Sequence, residues 1–230
     1  MLAPGAYIDW INAHLGFNPR AAENSNALSE LVTFDLAQMD SLLGKSITNQ
    51  TLTPRKNANV KASFATRNID LVFDEAGNPL ISVQVAVENK TIMTAHGKAR
   101  KNRYGDIIAY CNHMHNHRRE CVAGAIVVVN VSKEYLNPDS FAKDVKRPKL
   151  DMNLVVKETI EIFAKIPLRD TPDEPTELPE ALSIIVVDYD GINPGKLVID
   201  ERAPQPKDVI YYGNFLSRLC ALYEQRMTKQ

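Results

Sequence analysis

Apolar and polar residues alternate most regularly between Leu80 and Lys90. Ile81, Val83, Val85 and Val87 point one way, and Ser82, Gln84, Ala86, Glu88 and Lys90 point the other. A period of two predicts a strand. Just before it, Ile69 to Phe73 is an apolar run that carries one acid, Asp70. Between the two, Asp74 to Pro79 reads as a turn. Gly77 and Asn78 tolerate the dihedrals of a reversal, and Pro79 suits the first position of a new strand. The pattern therefore predicts a hairpin whose strands pair antiparallel.

The rest of the chain falls into elements around this hairpin. Tyr7 to Leu15 is expected to form a short helix, ended by Gly16 to Pro19. Ser25 to Leu43 is expected to form a longer one, capped by Ser25 or Asn26, with Leu28, Leu31 or Val32, Leu36, Met39 and Leu43 at helical spacing and Gly44 as its stop. Ser46 to Asn59 is mostly polar and reads as a loop, so the sheet is expected to begin with Val60 to Phe64. Lys98 to Asn116 reads as a helix. Cys121 to Val131 is almost continuously apolar and β-branched, which predicts a central strand covered on both faces. Ser132 to Pro148 reads as a loop, Asp151 to Ile166 as a helix, and Pro167 to Glu180 as an acidic, proline-rich surface connector. A strand at Ala181 to Asp188, a short strand at Lys196 to Ile199 and a helix at Tyr211 to Met227 complete the chain. This order predicts one α/β domain over 1–230, a mixed sheet with helices on both faces. Its parts are a helical region 1–59, a sheet core 60–131, and peripheral helices and strands 132–230.

Composition narrows the class only a little. A chain of 230 residues suits a single domain with a substantial core, and 44% hydrophobic and 24% charged residues are ordinary for a globular protein. No apolar run approaches the roughly 18 residues of a membrane span, and MLAPGAYIDW is not a secretory signal. Cys111, Cys121 and Cys220 form no framework, which points to reduced thiols and a cytoplasmic protein. The net charge of -1 does not argue for nucleic acid, but basic residues collect at Lys98 to Arg103, His113 to Arg119 and Lys143 to Lys149. Cations at the start of the Lys98 helix oppose its dipole, so they either face an anion or form a solvated basic face. His113 and His117 share a helix face without a third and fourth ligand, and are expected to be surface histidines rather than zinc ligands. Asp188 and Asp190 are expected to serve a turn.

The alternation has a chemical consequence. Glu88 and Lys90 emerge on one face of one strand, about 6–7 Å apart, and antiparallel pairing brings Asp70 beside them. Two carboxylates and an ammonium then share a patch that suits a hard divalent cation, with a lysine able to orient water or offset charge on a phosphate. The competing reading is an amphipathic strand whose polar residues face water. Position favours the first, because a charge inside an apolar strand is costly without a partner or a metal.

The segment resembles the PD-(D/E)xK nuclease superfamily, the fold of many type II restriction endonucleases. In that family an acid on one strand is followed by (D/E)xK on the next. Asp70 matches the first acid, Glu88 the second and Lys90 the lysine, while Ile69 stands where the proline of the family name would be. The continuation VENKTIMTAHGKARKNRYGD also looks like restriction-type proteins, and the likeness covers roughly positions 67 to 110. The resemblance implies a restriction-endonuclease-like fold and Mg²⁺-dependent hydrolysis of phosphodiester bonds in double-stranded DNA, with Mn²⁺ able to substitute. Asp70, Glu88 and the Asn89 carbonyl would hold the metal and Lys90 would orient the water. Glu30 is the candidate accessory acid, and Gln84 faces the same side as Glu88. Lys98, Arg100, Lys101, Arg103, Lys143, Lys146, Arg147 and Lys149 are the candidate DNA contacts, with a homodimer expected on a palindromic target. The rival readings are a non-catalytic nucleic-acid-binding protein that keeps the fold, a repair or phage-defence nuclease, another enzyme with a carboxylate-bound metal, and a structural or partner-binding protein.

Overall fold

The β-branched run after Cys121 becomes the strand about which the sheet is built. In the computed structural model, which describes residues 2–17, 22–63, 65–76, 83–132 and 151–228, it is β4 (Val122–Asn130), and every residue in it is buried. Among the described residues β4 runs parallel to β3 (Val83–Ile92) on one side and to β5 (Ala181–Asp188) on the other. Antiparallel strands extend the sheet outward, β2 (Ala65–Glu75) and then β1 (Leu52–Ala62) beyond β3, and β6 (Lys196–Leu197) beyond β5. The spatial order follows the chain, β1 to β6.

Parallel neighbours need crossovers. The helix α4 (His96–His117) joins β3 to β4, and α5 (Met152–Ala164) lies between β4 and β5 in sequence. Ile107, Tyr110 and Met114 of α4 and Val156 and Phe163 of α5 pack over Ala86, Ala125, Val127 and Val186 of the sheet. The opposite face, including Leu71, Val87, Ile126 and Ile185, is covered by α1 (Ala3–Ala13), α2 (Ala22–Gln38), α3 (Leu42–Thr48) and α6 (Tyr212–Met227). The result is the expected α/β arrangement, a mixed sheet with helices on both faces. Among the described residues no helix is long and apolar enough to cross a membrane.

Three expectations are corrected. The sheet begins at Leu52 rather than Val60, because β1 is an edge strand that buries only Leu52, Ala58, Val60 and Ala62. Its other positions are polar, and an edge accepts Pro54 and Lys56, which disfavour a further strand. The helix expected from Ser25 to Leu43 is two helices. Ser41 caps α3, its Oγ accepting the Gly44 N–H at 3.0 Å, so Gly44 lies inside a helix instead of ending one. A Cβ on Gly44 would stand 2.2 Å from the Met39 carbonyl oxygen, and only glycine lets α3 turn so tightly against the end of α2.

The third correction concerns the connector before β5, which is not all surface. Arg169 and Glu180 are fully buried. The Glu180 carboxylate accepts hydrogen bonds from Arg169 (2.9 Å), Arg226 (2.8 Å), His115 (2.9 Å) and the Ala123 N–H (2.8 Å). Burial alone would raise its pKa, but the contacts from His115 and Arg226 outweigh it and hold the carboxyl below its usual range. His113 and His117 place ring nitrogens 2.9 and 2.7 Å from the Val60 and Lys61 carbonyl oxygens and pin α4 to β1. Asp190 serves its turn, accepting the Ile192 and Asn193 N–H groups.

Candidate functional site at the fork between β2 and β3

The ladder between β2 and β3 runs from Asp74 opposite Val83 to Leu71 opposite Val87 and stops there. Beyond that point β2 stays with β1 and β3 stays with β4. The strands therefore fork at Asp70 and Glu88. A fork leaves backbone donors on β3 without a ladder partner, and such groups must be satisfied another way. Asp70 does this, its Oδ2 accepting the Asn89 N–H at 2.7 Å. The carboxylate is thereby held in the opening by the backbone of the motif's middle residue.

The two faces of β3 then serve different purposes. Asn89 points toward α2, where its Nδ2 donates to Ser29 Oγ at 2.9 Å and to the Ser25 carbonyl at 3.3 Å. Ser29 Oγ donates in turn to the Asp70 carbonyl at 3.4 Å. These bonds fasten α2 across the fork and fix Asp70 at both its carboxylate and its main chain.

Glu88 points toward α4 and is only 2% exposed. Its Oε1 accepts Lys90 Nζ at 2.6 Å and Arg67 Nη2 at 3.3 Å. Its Oε2 is buried with no hydrogen-bond partner among the described residues. Burial raises the Glu88 pKa; Lys90 opposes this, the charge of Asp70 adds to it, and Arg67 offsets a smaller part, leaving the net direction upward. The two carboxylates are thus close enough to feel each other's charge.

Asp70, Glu88, Asn89 and Lys90 are brought together here, and the other candidates are not. Glu30 is exposed and ion-paired to Lys56 of β1. Gln84 is half-buried on β3, but four residues before Glu88, about 13 Å along the strand and out of reach of the fork. Arg100 binds Glu158 of α5 at 2.8 Å. Arg103 binds Asp106 at 2.8 Å and the Thr91 carbonyl at 3.2 Å. The anions that offset these two cations at the start of α4 are thus carboxylates of the protein itself. Lys98 and Lys101 are exposed. Lys143, Lys146, Arg147 and Lys149 lie outside the described residues, as do the turn residues Gly77 to Pro79. Ser29 and Arg67 carry no signal in the sequence, and Ser25, expected as a helix cap, lies inside α2, which begins at Ala22, and offers its carbonyl to Asn89 instead. Arg67 lies three positions before Asp70, a spacing that a period of two assigns to the opposite face, and it reaches Glu88 where the strands separate.

The residues at the fork fit a hard divalent cation. Such an ion takes carboxylate oxygens, and Mg²⁺ in particular is held by one or two carboxylates while keeping several waters. Glu88 Oε2 is an acceptor without a donor among the described residues, and Asp70 stands beside it. Among the described residues no group of three or more His, Cys, Asp or Glu side chains is placed to hold a metal, so water and main-chain oxygen would complete the coordination. No protein-family model matches this chain, and neither does any curated protein or solved structure.

Proposed function

We propose that the chain is a divalent-metal-dependent endonuclease acting on double-stranded DNA, of the restriction-endonuclease-like class that Asp70, Glu88 and Lys90 resemble. The observation that carries this reading is Glu88 Oε2, a buried carboxylate oxygen without a donor among the described residues, next to a second carboxylate and beneath two cations. A charge buried in that way is retained at a cost to the fold and calls for a cation partner.

Charge balance points to a phosphate substrate. Asp70 and Glu88 carry two negative charges, and Arg67 and Lys90 carry two positive ones. The site is close to neutral by itself and gains two positive charges with a divalent ion, which suits an anionic phosphodiester whose charge grows in the transition state. A bound divalent ion would polarise a phosphate oxygen and lower the pKa of a water. Asp70 and Glu88 would hold that ion, joined by the Asn89 carbonyl. Lys90 would exchange its bond to Glu88 for the attacking water and offset charge on the phosphate. The Ser29 hydroxyl and the N–H and side-chain amide of Asn89 act on none of these groups directly; they hold Asp70 still, which matters because small misplacements of reacting groups are costly. The restriction-type role and a two-fold dimer on a palindromic target rest on the resemblance.

Incubation with long mixed-sequence DNA and Mg²⁺ tests this reading. Cleavage that chelation stops, and that Asp70→Ala, Glu88→Ala and Lys90→Ala each abolish, is the expected result. Discrete fragments would mark a site-specific enzyme. Absence of cleavage with both Mg²⁺ and Mn²⁺, or full activity in either acid variant, would refute it.

A further inference from the structure

Arg67 reaches the fork with a guanidinium that is held only by long contacts. Arg100, Arg103, Arg169 and Arg226 each hold a carboxylate at 2.8–2.9 Å. Arg67 instead makes two long contacts through a single nitrogen, Nη2, at 3.3 Å to Glu88 Oε1 and 3.3 Å to the Asp106 carbonyl. Its Nε and Nη1 have no partner among the described residues. A guanidinium carries five donors in a planar fork matched to carboxylate or phosphate, and this one uses that geometry for neither. Glu88 does not depend on it, because Lys90 holds the same oxygen at 2.6 Å.

Its location is equally specific. Arg67 bridges β2 to α4 across the mouth of the fork, with its side chain 28% exposed, so it is reachable from solvent while lying against the buried carboxylate. A divalent ion on Asp70 and Glu88 would neutralise the charge that now draws Arg67 inward. The guanidinium would then be drawn to the nearest remaining anion, which in a nuclease is the phosphate being cut.

We propose that Arg67 is a catalytic phosphate clamp, turning from Glu88 to the non-bridging oxygens of the scissile phosphate when DNA and metal occupy the fork. This inference rests on the nuclease reading above. It assigns to β2 a second positive group for the transition state, in addition to Lys90 on β3.

The test compares wild type, Arg67→Met and Arg67→Lys. Single-turnover cleavage of saturating plasmid DNA with Mg²⁺ is expected to slow about 10²- to 10³-fold in Arg67→Met, the usual effect of removing one donor to developing charge. Arg67→Lys is expected to recover part of the loss. With Ca²⁺ in place of Mg²⁺, the slope of log affinity for the same DNA against log salt is expected to shrink by about 0.9 in Arg67→Met, the equivalent of one neutralised phosphate, and to persist in Arg67→Lys. Mn²⁺ titrated into the DNA-free variants is expected to bind at least as tightly as in wild type, because Arg67 is no ligand and its cation competes with the metal for Glu88. An unchanged salt slope with cleavage within about threefold of wild type would overturn the inference and leave the nuclease reading standing. A loss of rate that excess Mg²⁺ restores, with weakened Mn²⁺ binding, would overturn it in favour of a residue that only steadies Glu88. A wild-type protein that cuts nothing would remove the nuclease reading and this inference together.

Discussion

Replacing Glu88 by glutamine separates what this carboxylate does for the fold from what it does for chemistry. Glutamine keeps the volume and an oxygen for Lys90, and it removes the buried charge. Lys90 and Arg67 are 17% and 28% exposed, so water can still reach both cations after the change. The Oε2 oxygen of the carboxylate itself is buried, with no donor among the described residues. The balance favours the neutral side chain. Without divalent ions at neutral pH, Glu88→Gln should stabilise the protein by on the order of 1 kcal/mol, because a buried charged atom left unsatisfied costs more than a neutral one and both cations keep access to water. For a chain of this length that is a rise in melting temperature of about 2–4 °C.

The pH dependence carries a definite sign. The folded-state pKa of Glu88 lies above its ordinary value of 4.5, so the folded protein binds this proton more tightly than the unfolded chain does. Its contribution to stability is fully present below pH 4.5 and is lost as pH rises through the folded-state pKa. Wild type and variant should therefore converge near pH 4.5 and separate above it. Mn²⁺ should reverse their order, adding about 2.7 kcal/mol to wild type at a hundredfold excess over its dissociation constant and nothing to the variant. Scanning calorimetry from pH 4.5 upward, with and without Mn²⁺, measures all of this. A variant less stable than wild type at neutral pH, or a gap that ignores pH, would refute the reasoning.

Two further predictions concern the surroundings. Glu180→Gln should destabilise the fold by about 3–5 kcal/mol, because it strands the buried guanidinium groups of Arg169 and Arg226; a urea midpoint that falls at constant m-value would register this, and a shift below about 1 kcal/mol would show that the network is dispensable. Lys98 and Lys101 are exposed at the start of α4, so changing both to alanine should lower the salt slope of DNA binding by about 0.9 for each phosphate that these lysines neutralise. An unchanged slope would remove that end of α4 from the DNA interface.

What could be read from the sequence was what local periodicity determines. A strand's period of two puts Glu88 and Lys90 on one face and Asn89 on the other, and antiparallel pairing brings Asp70 alongside. The apolar run of β4 likewise declared itself, since a strand covered on both faces has no polar side. Features that depend on distant partners were hidden. β1 looked like a loop because an edge strand keeps polar residues along one face. The buried charges of Arg169 and Glu180 lie in an acidic, proline-rich connector, and their burial makes sense only with His115 of α4 and Arg226 of α6 beside them. The cations at the start of α4 suggested an external anion, and folding supplied Glu158 and Asp106 for Arg100 and Arg103. Arg67 was invisible for a related reason: the alternation of β2 breaks at Asp70, so that Ile69 packs on the α4 face although Leu71, two residues on, packs on the other, and Arg67 reaches Glu88 from that face.

The central claim is that Asp70 and Glu88 form one cation site at that fork. Anomalous diffraction from crystals soaked in Mn²⁺ tests it most directly. A manganese peak touching both carboxylates is expected in wild type and is expected to vanish in Glu88→Gln. A map with no peak at the fork, and with Glu88 still bound only by Lys90 and Arg67, would contradict the claim.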